Sequence, residues 1–103
     1  MISLKTIQHR VAAWRKSKIP DATLEGQYDK MHEELVEVAD SMALQMPYKV
    51  LQECADVLIV ACNIADLSGL DLDQIVSEKL DRNDKRQWKS DGSGKAQHVE
   101  AKP

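Results

Sequence analysis

The segment from Tyr48 to Leu67 most constrains the fold, because apolar residues recur on almost every side of it. At about 100° per residue, a helix would place Leu51 and Leu58 on one broad apolar face, with Val60 and Ile64 on the opposite side. A helix that is apolar nearly all round is normally buried. We therefore expect the remaining elements to pack around this segment.

Prolines and glycines divide the chain into four helical segments, and no strand pattern is recognisable. Pro20, Pro47 and Gly69 mark the breaks, Ser3 is the expected N-cap of the first helix, and Asp71 opens a capping-box pattern for the fourth. The expected helices cover residues 3–17, 24–45, 48–67 and 71–88. Short connections between them predict an all-α, antiparallel four-helix bundle.

With 103 residues, the chain suits one domain with a modest core. We assign residues 1–88 to that domain and expect residues 89–103, which are rich in Ser, Gly and Lys without periodicity, to form a disordered tail. Cys54 and Cys62 are too far apart on one helix for a disulfide, and we expect two buried thiols.

Charge and hydropathy exclude two classes of partner. The formal net charge of -3 argues against a protein that binds nucleic acid, because such domains are usually basic. The N-terminus lacks the apolar run of a signal peptide, and no apolar stretch is long enough to span a bilayer. We therefore expect a cytoplasmic protein with no membrane partner.

Two pairs of acids carry the first functional signal. Glu34 and Glu37 lie one turn apart on the second helix, and Glu53 and Asp56 lie one turn apart on the third. Carboxylates on a buried helix repel one another and lose hydration unless a cation compensates them. Alternatively, this side of the helix meets solvent or pairs with Lys or Arg. Four converging oxygen donors suit a hard divalent cation, of which magnesium is the abundant one.

A group of polar residues occupies the inward face of the fourth helix. Lys79, Asn83 and Arg86 continue the face that begins with apolar residues. They suit phosphate oxygens, and Arg can bind these in bidentate fashion. The alternative is a fraying helix end whose basic residues favour the C-terminal dipole.

Together these motifs resemble a known family. The run Glu33–Glu37, followed after fifteen residues by Glu53–Asp56, resembles the EExxE…ExxD signature of the all-α pyrophosphohydrolases, which include MazG, dimeric dUTPases and phosphoribosyl-ATP pyrophosphohydrolase. Lys79, Asn83 and Arg86 resemble the K…N..R element of MazG-like members. The resemblance covers roughly residues 24 to 88.

The resemblance implies Mg²⁺-dependent hydrolysis of (deoxy)nucleoside triphosphates to the monophosphate and pyrophosphate, in a house-cleaning role against noncanonical or surplus nucleotides. The catalytic and metal-binding acids would be Glu34, Glu37, Glu53 and Asp56, with Glu33 a less secure ligand and Mn²⁺ the alternative ion. Lys79, Asn83 and Arg86 would bind phosphate. The family also implies a homodimer or homotetramer with sites at or near subunit interfaces. The apolar flank of the third helix independently favours an oligomer, because a chain of 103 residues has little to cover it with.

The first helix offers candidates for contacting the base. Trp14, His9 and Gln8 could stack on a nucleobase or hydrogen-bond to it, because Trp presents a flat face. The alternative is that Trp14 packs as the last member of an apolar stripe.

Two other functions stay open at this point. A narrow-substrate relative, of the dUTPase or phosphoribosyl-ATP pyrophosphohydrolase type, would act on one defined nucleotide. A metal-free helical interaction module would use the acids to bind a basic protein, and it would tolerate their neutralisation.

Overall fold

Four α-helices and one β-hairpin make up residues 2–99, the part of the chain that the computed structural model describes. The helices are α1 (Leu4–Lys18), α2 (Leu24–Ala43), α3 (Pro47–Leu67) and α4 (Leu72–Asp84), and the strands are β1 (Trp88–Ser90) and β2 (Ala96–His98). The all-α class is therefore confirmed, although the hairpin was not predicted.

Side-chain caps define where the first two helices begin. The Ser3 Oγ accepts from the Thr6 N–H at 3.1 Å, which confirms the predicted N-cap of α1. Thr23 caps α2 in the same way by accepting from the Gly26 N–H at 3.0 Å. Pro47 does more than end the preceding segment, because it occupies the first turn of α3, where its missing N–H has no consequence.

Helix α3 packs against both α1 and α2, and the core lies between these three helices. Its buried apolar residues include Val11 and Ala12 from α1 and Val60 and Cys62 from α3. The loop after Gly69, whose positive φ of 72° favours glycine, is held to α1 by a buried glutamine. This arrangement places the acid-bearing side of α3 toward the core.

The prediction that α3 is buried nearly all round was wrong for one flank. Leu51 is 68% exposed, Leu58 is 41% exposed, and Cys54 is also exposed rather than buried. The physical reason is that α1 and α2 leave this flank uncovered at Leu51 and Leu58, whereas Cys62, farther along the same face, is buried. Both cysteines are free thiols, as expected, and Cys62 is fully buried.

The segment from Gln74 to Val99 forms a separate compact unit. Helix α4 ends at Asp84 rather than near residue 88, because Trp88 begins β1 and pairs with His98 on β2. The turn between the strands contains Gly92 and Gly94, both at positive φ. The division into a domain over 1–88 and a tail over 89–103 stays a prediction.

No helix within residues 2–99 combines the length and apolarity needed to cross a membrane.

Candidate active site

The structure brings the two predicted pairs of acids together. One carboxylate oxygen from each of Glu34, Glu37, Glu53 and Asp56 lies within 4.8 Å of those of the other three. The i, i+3 spacing puts each pair on one side of its helix, and the short α2–α3 connection brings the two sides face to face. The convergence that the sequence predicted is thus present in the fold.

Glu34 is the least solvated of the four acids. The residue is 6% exposed, and its Oε2 atom is buried without a hydrogen-bond partner among the described residues. Glu53 and Asp56 are half-buried and Glu37 is exposed. A buried carboxylate oxygen without a partner is unfavourable, and a bound cation would satisfy it.

The donor set fits a hard divalent cation. Oxygens that bind one Mg²⁺ at about 2.1 Å lie at most about 4.2 Å apart. A spread of 4.8 Å therefore needs only small side-chain rotations to bind one ion. Carboxylates alone, without His or Cys in the cluster, favour Mg²⁺ or Mn²⁺ over softer metals.

Cavities lie on both sides of the acid cluster. Glu34 and Asp56 line a cavity of about 370 Å³, here called the Trp14 cavity after the aromatic residue in its wall. Glu37 and Glu53 line a second cavity of about 300 Å³. Each helix thus contributes one acid to each cavity. The first volume falls in the range of small-molecule sites.

Lys30 is a cation beside the acids that the sequence analysis missed. Its Nζ lies 3.2 Å from Glu33 Oε2 and 3.3 Å from Glu34 Oε1, and the side chain lines the Trp14 cavity. The hydrogen bonds to Glu33 and then to Glu34 raise the pKa of Lys30. The i, i+3 and i, i+4 spacing to the two acids was the available signal.

Glu33 stands outside the acid cluster. Its side chain is 66% exposed and pairs with Lys30 on the surface of α2. This position agrees with its predicted angle on the helix, although its role in metal binding stays a prediction.

The predicted phosphate-binding residues lie in the unit that begins at Gln74. Lys79 is exposed, while Asn83 and Arg86 are half-buried and in contact: Arg86 NH1 donates to Asn83 Oδ1 at 3.2 Å. The Trp88 Nε1–H donates to the Asn83 carbonyl at 2.8 Å. The end of α4 is therefore held by side chains from the segment that follows it.

The three residues predicted to contact the base have different surroundings. Trp14 is 48% exposed and lines the Trp14 cavity, so it is not a core residue. His9 is exposed. Gln8 is buried, and its amide binds the backbone on both sides of the α3–α4 connection, donating to Leu70 O and accepting from the Leu72 N–H, each at 2.8 Å.

Two further polar residues in the Trp14 cavity were missed. Gln27 and Asn63 are buried and hydrogen-bonded to each other, with Asn63 Nδ2 donating to Gln27 Oε1 at 3.1 Å. The only sequence signal was an amide within an apolar helical run, and its partner lies 36 positions away.

Comparison with known proteins places this geometry in a family. Residues 4–83 match the phosphoribosyl-ATP pyrophosphohydrolase family. A dATP/dGTP diphosphohydrolase of Cyanophage S-2L is 33% identical over 93 residues, which cover 90% of this chain and 85% of that protein. A dATP/dGTP diphosphohydrolase of Salmonella phage PMBT28 is 30% identical over 97 residues, but the chain spans only 32% of its length.

A solved structure has the same fold. It is the Cyanophage S-2L MazG-like pyrophosphohydrolase bound to dGDP and three catalytic Mn²⁺ ions per active site, with a TM-score of 0.80 and 31% sequence identity. The match covers 98% of this chain and 97% of that one. The matched residues include both helices that carry the acid cluster. The chain therefore belongs to the phosphoribosyl-ATP pyrophosphohydrolase family, among its MazG-like members.

Proposed function

We propose that this protein hydrolyses deoxynucleoside triphosphates, with purine bases preferred, to the monophosphate and pyrophosphate with the help of a divalent metal ion. The observation that carries the proposal is the buried Glu34, which has an unpartnered carboxylate oxygen, belongs to a cluster of four acids and lines a ligand-sized cavity. Relatives named for dATP and dGTP hydrolysis support the substrate class.

Glu34, Glu37, Glu53 and Asp56 would hold the metal, with Mg²⁺ and Mn²⁺ as the two candidates. When bound, the metal supplies neutralisation of phosphate charge and activation of water. Proton transfer at this end of the site would be carried out by the acids of the chain. A carboxylate oxygen of the cluster that does not bind the metal would accept the proton that the attacking water releases.

Basic residues would contact the phosphates. Lys30 already points into the Trp14 cavity, and its ammonium can exchange a carboxylate partner for a phosphate oxygen. Lys79, Asn83 and Arg86 are proposed to bind the polyphosphate and to stabilise negative charge that builds on it during hydrolysis.

The experiment is pyrophosphate release from a panel of standard and noncanonical nucleoside triphosphates, with Mg²⁺, with Mn²⁺ and with chelator. Metal-dependent release, lost in Glu53→Gln and retained in Glu25→Gln, would support the proposal. Glu25 is the matched control because it is an exposed acid on α2 outside the cluster. The ranking of substrates would test the house-cleaning role.

Two outcomes would contradict the proposal. With phosphoribosyl-ATP added to the panel, release from dUTP alone or from phosphoribosyl-ATP alone would indicate a narrow-substrate enzyme. No release from any nucleotide, together with tolerance of Glu53→Gln, would favour a metal-free interaction module.

We also propose that the protein forms a homo-oligomer, a dimer or a tetramer, through its uncovered apolar residues. Large side chains on α2, α3 and their connection are mostly solvent-exposed, including Val36, Met42, Tyr48 and Leu51. So extensive an apolar surface is unusual for a monomer of this size. A second copy presents the same surface, and a twofold contact would bury it on both copies at once. Sedimentation analysis of wild type and Leu51→Lys tests this: a monomeric wild type would overturn it.

A further inference from the structure

The inner wall of the Trp14 cavity carries a buried pair of amides. Asn63 is 2% exposed and Gln27 is 7% exposed, and both line the cavity. Asn63 Nδ2 donates to Gln27 Oε1, which fixes the direction of the Asn63 amide. The Oδ1 atom of Asn63 is buried and has no hydrogen-bond partner among the described residues.

A cavity-lining side chain whose carbonyl oxygen is buried without a partner favours a ligand that brings a donor. Buried polar atoms are nearly always hydrogen-bonded, so the exceptions call for an explanation. A phosphate is a poor explanation, because its oxygens are acceptors and would repel Oδ1. A ligand that satisfies this oxygen would present an N–H or O–H group of one of its neutral parts.

The position of Asn63 relative to the acids identifies that part. Asn63 follows Asp56 by seven residues on α3, which places it about two turns, or roughly 10 Å, farther along the same face. Asp56 and Glu34 line the same cavity from the metal-binding end. A nucleotide with its phosphates at the acids would have its sugar between the two points and its base at Asn63.

We infer that Asn63 reads the nucleobase, its Oδ1 accepting a hydrogen bond from an N–H group on the Watson–Crick edge of a purine, while Trp14 provides an aromatic wall and Gln27 positions the amide. The inference rests on the proposed function. Adenine offers its exocyclic amine at this edge, and guanine offers its ring N–H and its amine. Trp14 is half-exposed and can stack on the flat face of either base.

The test compares dATP with the 2′-deoxynucleoside triphosphate of unsubstituted purine, which differs only by a hydrogen in place of the amine. We expect the wild type to favour dATP in kcat/KM by about tenfold to a hundredfold. In Asn63→Leu the ratio should fall to within about threefold, mainly because dATP becomes a poorer substrate. Calorimetric binding of the two corresponding diphosphates should show the same loss without turnover.

Cys62→Ala is the matched control. Cys62 is the fully buried neighbour of Asn63 on α3 and does not line the cavity, so its truncation should lower stability and leave the ratio unchanged. If Asn63→Leu does not fold, Asn63→Ala removes the amide without adding volume. Gln27→Met should also reduce the ratio, because Gln27 acts by orienting Asn63 rather than by touching the base.

The results separate this inference from the proposed function. Pyrophosphate release with an unchanged ratio in Asn63→Leu and Asn63→Ala would overturn the base-reading role alone. If these variants instead lose discrimination against a 3′-deoxy analogue, Oδ1 binds the sugar, and the base-reading role is likewise overturned. A wild type that releases no pyrophosphate from any nucleotide would contradict the proposed function itself.

Discussion

Replacement of Glu34 by Gln should stabilise the metal-free protein and abolish most of its stabilisation by metal. Glu34 has three other carboxylates within 4.8 Å, and each such pair repels by about 3.5 kcal/mol at an effective dielectric constant of about 20. Solvent reduces this repulsion, and attraction to the half-exposed Lys30 opposes it. We therefore expect a net gain of about 2 kcal/mol in the free energy of unfolding for Glu34→Gln without metal.

The size of the metal effect follows from linkage. A metal concentration one hundred times Kd stabilises the folded state by about 2.7 kcal/mol. A chain of 103 residues has an unfolding entropy of about 0.2 kcal/mol per kelvin, so the wild-type Tm should rise by about 12 °C. If loss of the Glu34 ligand weakens binding about a hundredfold, only about 2 °C remains at the same concentration.

The assay is thermal unfolding with and without Mn²⁺, followed by circular dichroism. Glu33→Gln is the control, because Glu33 is the adjacent acid, also pairs with Lys30, and stands outside the acid cluster. It should keep the full metal-induced shift. A metal-free Glu34→Gln protein that is less stable than wild type, with an unchanged shift in Mn²⁺, would show that Glu34 is held by Lys30 as a structural ion pair.

Three further predictions concern two buried polar side chains that hold the helices together and the accessibility of the two thiols. Arg15→Leu should lower the free energy of unfolding, measured in urea titrations, by about 3 kcal/mol. The reason is that Asp66 would lose its buried partner, the Arg15 NH2 group 2.7 Å away. A loss below about 1 kcal/mol would contradict this prediction. Gln8→Ala should lower the free energy of unfolding by about 2–4 kcal/mol in the same assay, because the Leu70 carbonyl and the Leu72 N–H lose their hydrogen-bond partner. An unchanged unfolding midpoint would show that Gln8 does not stabilise this connection. At pH 8 a thiol reagent should modify the exposed Cys54 rapidly and the buried Cys62 only on unfolding, because burial also raises the pKa of the Cys62 thiol. Equal modification rates of the two thiols, followed by mass spectrometry, would disprove this prediction.

The helices and the acid cluster were predictable because their signals are local. Apolar periodicity, prolines and caps define α1 to α3 within a few residues, and the i, i+3 spacing alone puts Glu34 with Glu37 and Glu53 with Asp56. The end of α4 was predicted too late, because Trp88 was treated as a helical residue when it belongs to a strand. The glycines of the hairpin turn had suggested disorder instead.

Features that depend on contacts between distant residues could not be predicted. In the sequence, Asn63 looks like any other polar residue in a helix. Only the fold shows its hydrogen bond to Gln27 and its place in the cavity wall. The exposed flank around Leu51 was expected from chain length, but its extent was not predictable, because periodicity identifies an apolar face without saying whether the chain itself or another molecule covers it. Lys30 was overlooked because surface lysines are common.

The ion pairs of Lys30 bear on the order in which the protein folds and binds metal. A tethered ammonium beside Glu34 acts as a built-in counter-ion, so the chain can complete its fold before it meets any metal. Because the lysine is flexible and half in water, an arriving divalent ion needs only to displace one side chain and not to reorganise a helix. Under the proposed function, synthesis and metal loading are then separate events, and metal supply rather than folding would set when the protein begins to work.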